Sequence, residues 1–550
     1  MGFPEPEPEP KGLVAMQQQQ EPARASGGSI ASRNKSKGSS CQQGLVAHGS
    51  VASPGKRKGS PRQQDYVADG SVDLRTDINR TPRQEDESSQ GGPAKDYSGP
   101  HGPHLPEDIW CHIHSLMPLR DAARAACVSR AFKFSWRCYP KLTFSEETLG
   151  LDGHVNRNAD ARAFTTKVDH ILEKHSGVGI KTLELLGALD YNAKDRWYLD
   201  KWLQMAITPV LEELWLYLSS VNNKYEFPCL ILSHGNAASL RRLHLSKCTF
   251  RPTVGLGCLR SLTILSLLQV RITGDELGSL LSSSFALERL ELRHCEKISC
   301  LAIPCLLLRL NYLEVLYCKN LRIIENKAPN LTHFTLVECK SLQVQLSHLA
   351  SSQMKSVCMD CPGVIGYIRA KLASSMPNLQ SLLIYSSEMV DAPMSSKFLH
   401  LKYLNIILRR GTFSLSYDYL SLASFLGASP SLETFILDVW EPRMEHVSAS
   451  TDLSEPREMP GHNHGKLKNV RIDGFYSTKS LIELACHIVH IATSLESLIL
   501  DTRDRPREIF YFGTRRENIL KSRRALVAIQ TYIRPKVPST VQFLVLEPCN

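Results

Sequence analysis

Residues 287–295 read LERLELRHC and residues 310–318 read LNYLEVLYC, two copies of one pattern, Leu-x-x-Leu-x-Leu-x-x-Cys, with aliphatic substitutes allowed. Apolar residues on alternate positions are the signature of an extended strand with one face buried. The pattern recurs in both directions. Copies start at Leu240, Leu262, Leu287, Leu310, Leu331, Met354, Leu379 and Leu401, 21 to 25 residues apart. More widely spaced copies start at Ile180, Leu211, Leu432, Leu467 and Leu495, and Val541/Leu544/Leu546 closes the series. One strand–loop–helix unit cannot bury its own apolar face, so the units must stack until the core is continuous.

This spacing lies within the period of a leucine-rich repeat. The expected fold is therefore an α/β repeat, an irregular leucine-rich-repeat solenoid over residues 146–550. Cys248, Cys295, Cys318 and Cys339 stand three residues after the last aliphatic position. There a small polar side chain turns inward and bonds to loop backbone, so these cysteines read as repeat architecture. Ser480 to Ala492 reads as an amphipathic helix between two repeat strands.

Strand alternation sends the residues between the buried aliphatics to the concave face. Trp215, Arg242, His244, Lys247, Arg293, His294 and Tyr312 are the candidate substrate-binding residues, with Ile264, Ser266 and Gln269 between the two basic groups. Guanidinium and imidazole groups beside aromatic anchors predict affinity for an acidic or phosphorylated segment. The alternative is ordinary solvated strand surface.

A second informative stretch precedes the repeats, LPEDIWCHIHSLMPLRDAARAACVSRAFKFSWRCYPKLTF over residues 105–144. Leu105, Ile109, Ile113 and Leu116 recur at helical spacing, and Pro106 suits a first helical position. Pro118 ends that helix. Leu119, Ala122, Ala123 and Ala126 give a second one, and Ser129 is the expected N-cap of a third that carries Phe132 and Trp136 and stops at Pro140. Three such helices need a neighbour to cover their apolar surface.

LPEDI, the SLMPLRDAARAACVSR run and Trp136 resemble the F-box of plant F-box/leucine-rich-repeat proteins. HGKLKNVRIDGFYSTKSLIELACHIVHIATSLESLILD and KVPSTVQFLVLEPC resemble the closing segment of the same family. The resemblance implies docking of residues 101–145 onto the Skp adaptor of a cullin-RING ubiquitin ligase, with the repeats selecting the protein substrate. It assigns Leu105, Pro106, Ile109, Ile113, Leu116, Leu119, Val128 and Trp136 to apolar adaptor-facing or packing positions, and Ser129 and Arg130 to a polar element. It implies no catalytic residue and no cofactor. A ligase-independent scaffold, its F-box helices merely capping the solenoid, is the rival reading.

Residues 1–100 differ in kind, rich in Pro, Gly, Ser, Gln and Glu, with a Glu–Pro alternation from Glu5 to Pro10. Such a segment cannot offset chain entropy by burial, and disorder is the expectation. Lys56-Arg57-Lys58 reads as a solvated patch, or else as a nuclear-import signal. The net charge of +10 is mild for 550 residues, though eight Lys/Arg face three acids between Arg503 and Arg524. Nothing in it resembles a nucleic-acid groove. The acidic, Pro-rich start is no secretory signal, and no apolar run reaches membrane-spanning length. Sixteen Cys read as reduced small hydrophobes, which suggests the nucleus or the cytoplasm.

Other chemistry is poorly supported. Cys358 and Cys361 form a lone CxxC whose Met359 already holds a repeat position. His462 and His464 read as exposed loop residues, and a redox or hydrolytic enzyme built on either pair is a distant third reading. Residues 474–480 faintly resemble a phosphate loop but lack its two glycines, having Asp473 and Thr478 there.

Overall fold

The computed structural model describes residues 105–548, except 129–134, 152–156, 176–178, 188–195, 219–224, 234, 253–258, 338–351, 387–393, 410–416, 441–456, 458–462 and 504–514. The chain divides into Met1–Asp96 and Tyr97–Asn550, and all described residues lie in the second unit. The disorder expected over residues 1–100, the third-helix residues Ser129, Arg130 and Phe132, and Cys339 fall outside the description.

Seventeen strands follow the chain: β1 (Lys141–Phe144), β2 (Thr182–Gly187), β3 (Glu213–Leu218), β4 (Arg242–Ser246), β5 (Ile264–Leu268), β6 (Arg289–Arg293), β7 (Cys300–Ile303), β8 (Tyr312–Leu316) and β9 (Ile323–Asn326). Next come β10 (His333–Val337), β11 (Ser356–Asp360), β12 (Ser381–Ser386), β13 (Tyr403–Leu408), β14 (Thr434–Val439), β15 (Asn469–Asp473), β16 (Ser497–Asp501) and β17 (Gln542–Leu546). Fifteen of them form one parallel sheet in chain order, while β7 and β9 pair separately. Every adjacent pair shares one register, so Leu183, Leu214, Leu243, Leu265, Leu290 and Leu313 stand side by side. All six are fully buried. Burying one such side chain is worth roughly 1.5–3 kcal/mol, so the ladder is the main source of stability.

Three details depart from the sequence reading, and the third helix is described only in part. Pro106 is the N-cap of the first helix, Glu107–Ser115, not its first residue. The third helix of the 105–144 stretch is represented, among described residues, by one 3-10 turn, Ser135–Cys138. Lys141–Phe144, expected to close the three-helix segment, is instead the first strand of the long sheet, with Leu142 and Phe144 inside the solenoid core. The closing repeat is out of phase with its reading: Leu498 pairs with Phe543 and Leu500 with Val545, leaving Leu544 exposed. An alternating run offers two phases, and only the neighbouring strand selects one.

The strand ends use a backbone device that the sequence conceals. Lys247, Gln269, His294 and Tyr317, at one position of four repeats, have φ of 53–57°. A non-Gly residue in this left-handed region costs of order 1 kcal/mol. Each offsets it by donating its N–H to the next repeat's carbonyl, at Leu268, Arg293, Leu316 and Val337. The turn sends Cys248, Cys295 and Cys318 into the core, and the Cys295 thiol donates to the Leu267 carbonyl at 3.4 Å. This is the inward role expected of them. Gly474 marks a similar constraint, with φ +67° and a Cβ position only 2.2 Å from the Val439 carbonyl oxygen. Close approach of two repeats, not phosphate binding, requires glycine there.

The helix Lys479–Ile491 does lie between two repeat strands, but it is buried on nearly every side rather than on one. Glu483 sits in it with a fully buried side chain, held by Arg457. The Arg457 backbone N–H and Nε each donate to the Glu483 carboxylate at 2.9 Å, and its other nitrogens bond Asp418 at 2.8 and 3.0 Å. These two carboxylates hold the Arg457 guanidinium well above its ordinary pKa. Arg457 is itself half-exposed, but removing it leaves the fully buried Glu483 carboxylate without a counter-charge. Arg457→Met should therefore cost about 3 kcal/mol in chemical denaturation. Arg457→Met with Glu483→Leu should recover most of that loss. Equal stability of wild type and the single variant would contradict the assignment.

Candidate functional site: the F-box segment and the concave face

The two described helices of the first segment, Glu107–Ser115 and Leu119–Val128, leave apolar surface uncovered. Ile109 is 40% exposed, Leu116 75% and Val128 85%. Leu105, Ile113 and Trp136 are half-buried and Pro106 is exposed. Leu119 packs against the solenoid core. The segment is tied to the repeats through Tyr139, a buried residue whose hydroxyl donates to the Met117 carbonyl. The Tyr139 carbonyl in turn accepts from His175 Nε2 at 3.0 Å. Burial lowers the His175 pKa, and the neutral imidazole still has the N–H that this bond needs.

Register places the concave residues in rows across the sheet. One row runs Glu184, Trp215, His244, Ser266, Glu291 and Glu314. Trp215 and His244 stack face to face, centroids 3.6 Å apart. His244 is 8% exposed, and burial pushes its pKa down to about 4. Neither its Nε2 nor Trp215 Nε1 has a partner among the described residues. The Tyr312 hydroxyl donates to Glu314 at 2.7 Å, and the Arg289 guanidinium lies 3.7 Å above the Tyr312 ring. Burial and then the Glu314 contact raise the Tyr312 pKa to about 12. His294 stacks on Tyr317 and Lys247 stands at the end of β4.

The candidate residues therefore share a face, but not as a cationic cluster. Arg242 is paired with Glu213 at 2.8 Å, and Arg293 with Glu314 at 2.6 Å and Glu291 at 3.7 Å. Burial alone would raise the Glu291 pKa, yet hydrogen bonds from Arg289 and Ser266 and the two arginine charges bring it below the ordinary value. His244 is neutral. The expected preference for acidic or phosphorylated segments does not fit guanidiniums that already hold carboxylates. Reading single strands missed Glu213, Arg289 and Glu291, since the partner of each concave residue lies one strand away.

The other candidate chemistry resolves into structure. Burial raises the Cys358 thiol to about 12, and Met359 beside it is core. His464, expected in an exposed loop, is buried: Nε2 donates to the Ser429 carbonyl at 2.9 Å, and Nδ1 accepts the Leu467 N–H. His462 lies outside the described residues. No described helix is long and apolar enough to cross a membrane.

A helical segment joined to a parallel repeat sheet is the arrangement of an F-box/leucine-rich-repeat protein, and the family models assign the chain to that class. The F-box domain model matches residues 103–142. The chain belongs to the family described as "At1g61320/AtMIF1, LRR domain", whose model matches residues 171–550. An F-box/FBD/LRR-repeat protein of Arabidopsis thaliana is 25% identical over 194 residues, 35% of this chain and 43% of that protein. The match thus spans less than half of that relative's length. An internalin of Listeria monocytogenes aligns at 13% identity and a TM-score of 0.33, covering 70% of this chain and 88% of that one. F-box domains generally bind a Skp adaptor and through it a cullin, and proteins of this class are generally non-catalytic adaptors.

His244 yields a prediction of pH dependence. Its pKa is depressed in the fold, so the unfolded chain takes up the proton first as pH falls. The stability it contributes is full above about 6.5 and is lost as pH falls towards 4. Between pH 7 and 4.5 the wild type should lose roughly 2–3 kcal/mol more than His244→Gln. Parallel pH profiles of the two in urea unfolding would contradict the buried neutral imidazole.

Proposed function

We propose that this chain is the substrate receptor of a Skp–cullin–F-box ubiquitin ligase and performs no bond chemistry itself. Residues 101–145 dock the Skp adaptor. The repeat arc holds a protein substrate so that its lysines lie near the ubiquitin-loaded enzyme, and the gain is one of effective concentration. The setting is the nucleus or the cytoplasm, where its many cysteines stay reduced. The observation that carries this reading is the apolar surface at Ile109, Leu116 and Val128, on a segment tied to the solenoid at its other end by Tyr139. Exposed aliphatic groups grouped on a small helical module suit a partner that buries them. Ile113 and Trp136 contribute from half-buried positions, while Leu119 anchors the module to the repeats.

The test uses the exposed positions, because changing them leaves the core intact. Burying an aliphatic side chain is worth roughly 1.5–3 kcal/mol, and an aspartate there also carries an unpaired charge into the contact. Leu116→Asp with Val128→Asp should abolish co-purification of the Skp adaptor while the unfolding profile stays that of the wild type. Full adaptor recovery by this variant would favour the ligase-independent scaffold.

A further inference from the structure

We propose that the concave surface of β3, β4, β5, β6 and β8 receives an uncharged, extended peptide segment bearing aromatic or aliphatic side chains. This rests on the reading of the repeat arc as the substrate-binding part. Three guanidiniums on this surface, Arg242, Arg289 and Arg293, face three carboxylates, Glu213, Glu291 and Glu314, in the same or an adjoining strand. These six charges cancel within the sheet. An incoming carboxylate or phosphate would meet guanidiniums whose charge is already matched, and would gain most by drawing one of them off its glutamate. Glu314, only 7% exposed, would then be left as a buried charge without its arginine. The neutral His244 adds no attraction for an anion.

What the surface does offer lies between the pairs: Trp215, Tyr217, Leu268, Tyr312 and Leu316, all half-buried and all on the concave side. Half-exposed aromatic rings on a rigid sheet are good anchors, because little side-chain freedom remains to be lost on binding. Five strands about 4.8 Å apart span about 19 Å, the length of roughly six extended residues.

The experiment selects binders from a random peptide display library and a matched phosphoserine library, using the full chain bound to the Skp adaptor. Enriched peptides should carry Trp, Tyr, Phe or Leu without net negative charge. Their affinity should change less than about twofold as ionic strength rises from roughly 0.05 to 0.5 M. Trp215→Ala and Tyr312→Ala should each weaken binding about tenfold in chains that remain folded and still co-purify the Skp adaptor. Enrichment of acidic or phosphorylated peptides with steep weakening by salt would overturn the proposal. So would binding indifferent to both substitutions, or no enrichment at all. Adaptor co-purification, read on the same samples, reports on the ligase reading alone, so the two can fail separately.

Discussion

The repeat domain depends on burial of one aliphatic ladder shared by successive strands. No repeat has a core of its own; each covers its neighbour, and the common register keeps every inward leucine opposite another. That constraint leaves the concave side chains at fixed positions one strand apart. It also explains why β1 belongs to the sheet: Leu142 and Phe144 supply the first rung, and the helical segment before them is attached to the solenoid rather than independent of it.

The same periodicity brings its costs. Left-handed turns at Lys247, Gln269, His294 and Tyr317 recur where the strand must end and the following cysteine must turn inward, each offset by a bond to the next repeat. Glu483, buried in an otherwise apolar helix, is matched by Arg457. On the concave face, Asp473 and Asp501 are nearly or fully buried and are held by Arg471 and Arg503. Charges have thus been placed on the sheet largely as internal pairs, and a surface of this kind discriminates by shape and apolar contact more than by field.

The repeats were legible because strand alternation and a period of 21 to 25 residues are local properties of the sequence. The F-box segment was legible through the resemblance of the LPEDI run, the SLMPLRDAARAACVSR run and Trp136 to that of the family. What escaped was whatever a neighbouring strand decides. The phase of the last repeat turned on Leu498 meeting Phe543 rather than Leu544. The burial of His464 turned on the Ser429 carbonyl, 35 residues away in the chain. The concave site was found only in part for the same reason. Trp215, Arg242, His244, Arg293 and Tyr312 stand on the expected face, yet Arg242 and Arg293 are paired with Glu213, Glu291 and Glu314 across the register, and burial keeps His244 neutral.

The central claim is that the helical segment is the docking element and the sheet is left free to hold a substrate. Hydrogen–deuterium exchange of the full chain with and without the purified Skp adaptor tests it most directly. The account predicts slowed exchange within residues 105–144 and unchanged exchange in β3 to β8. Protection on the concave strands, with none in residues 105–144, would contradict it.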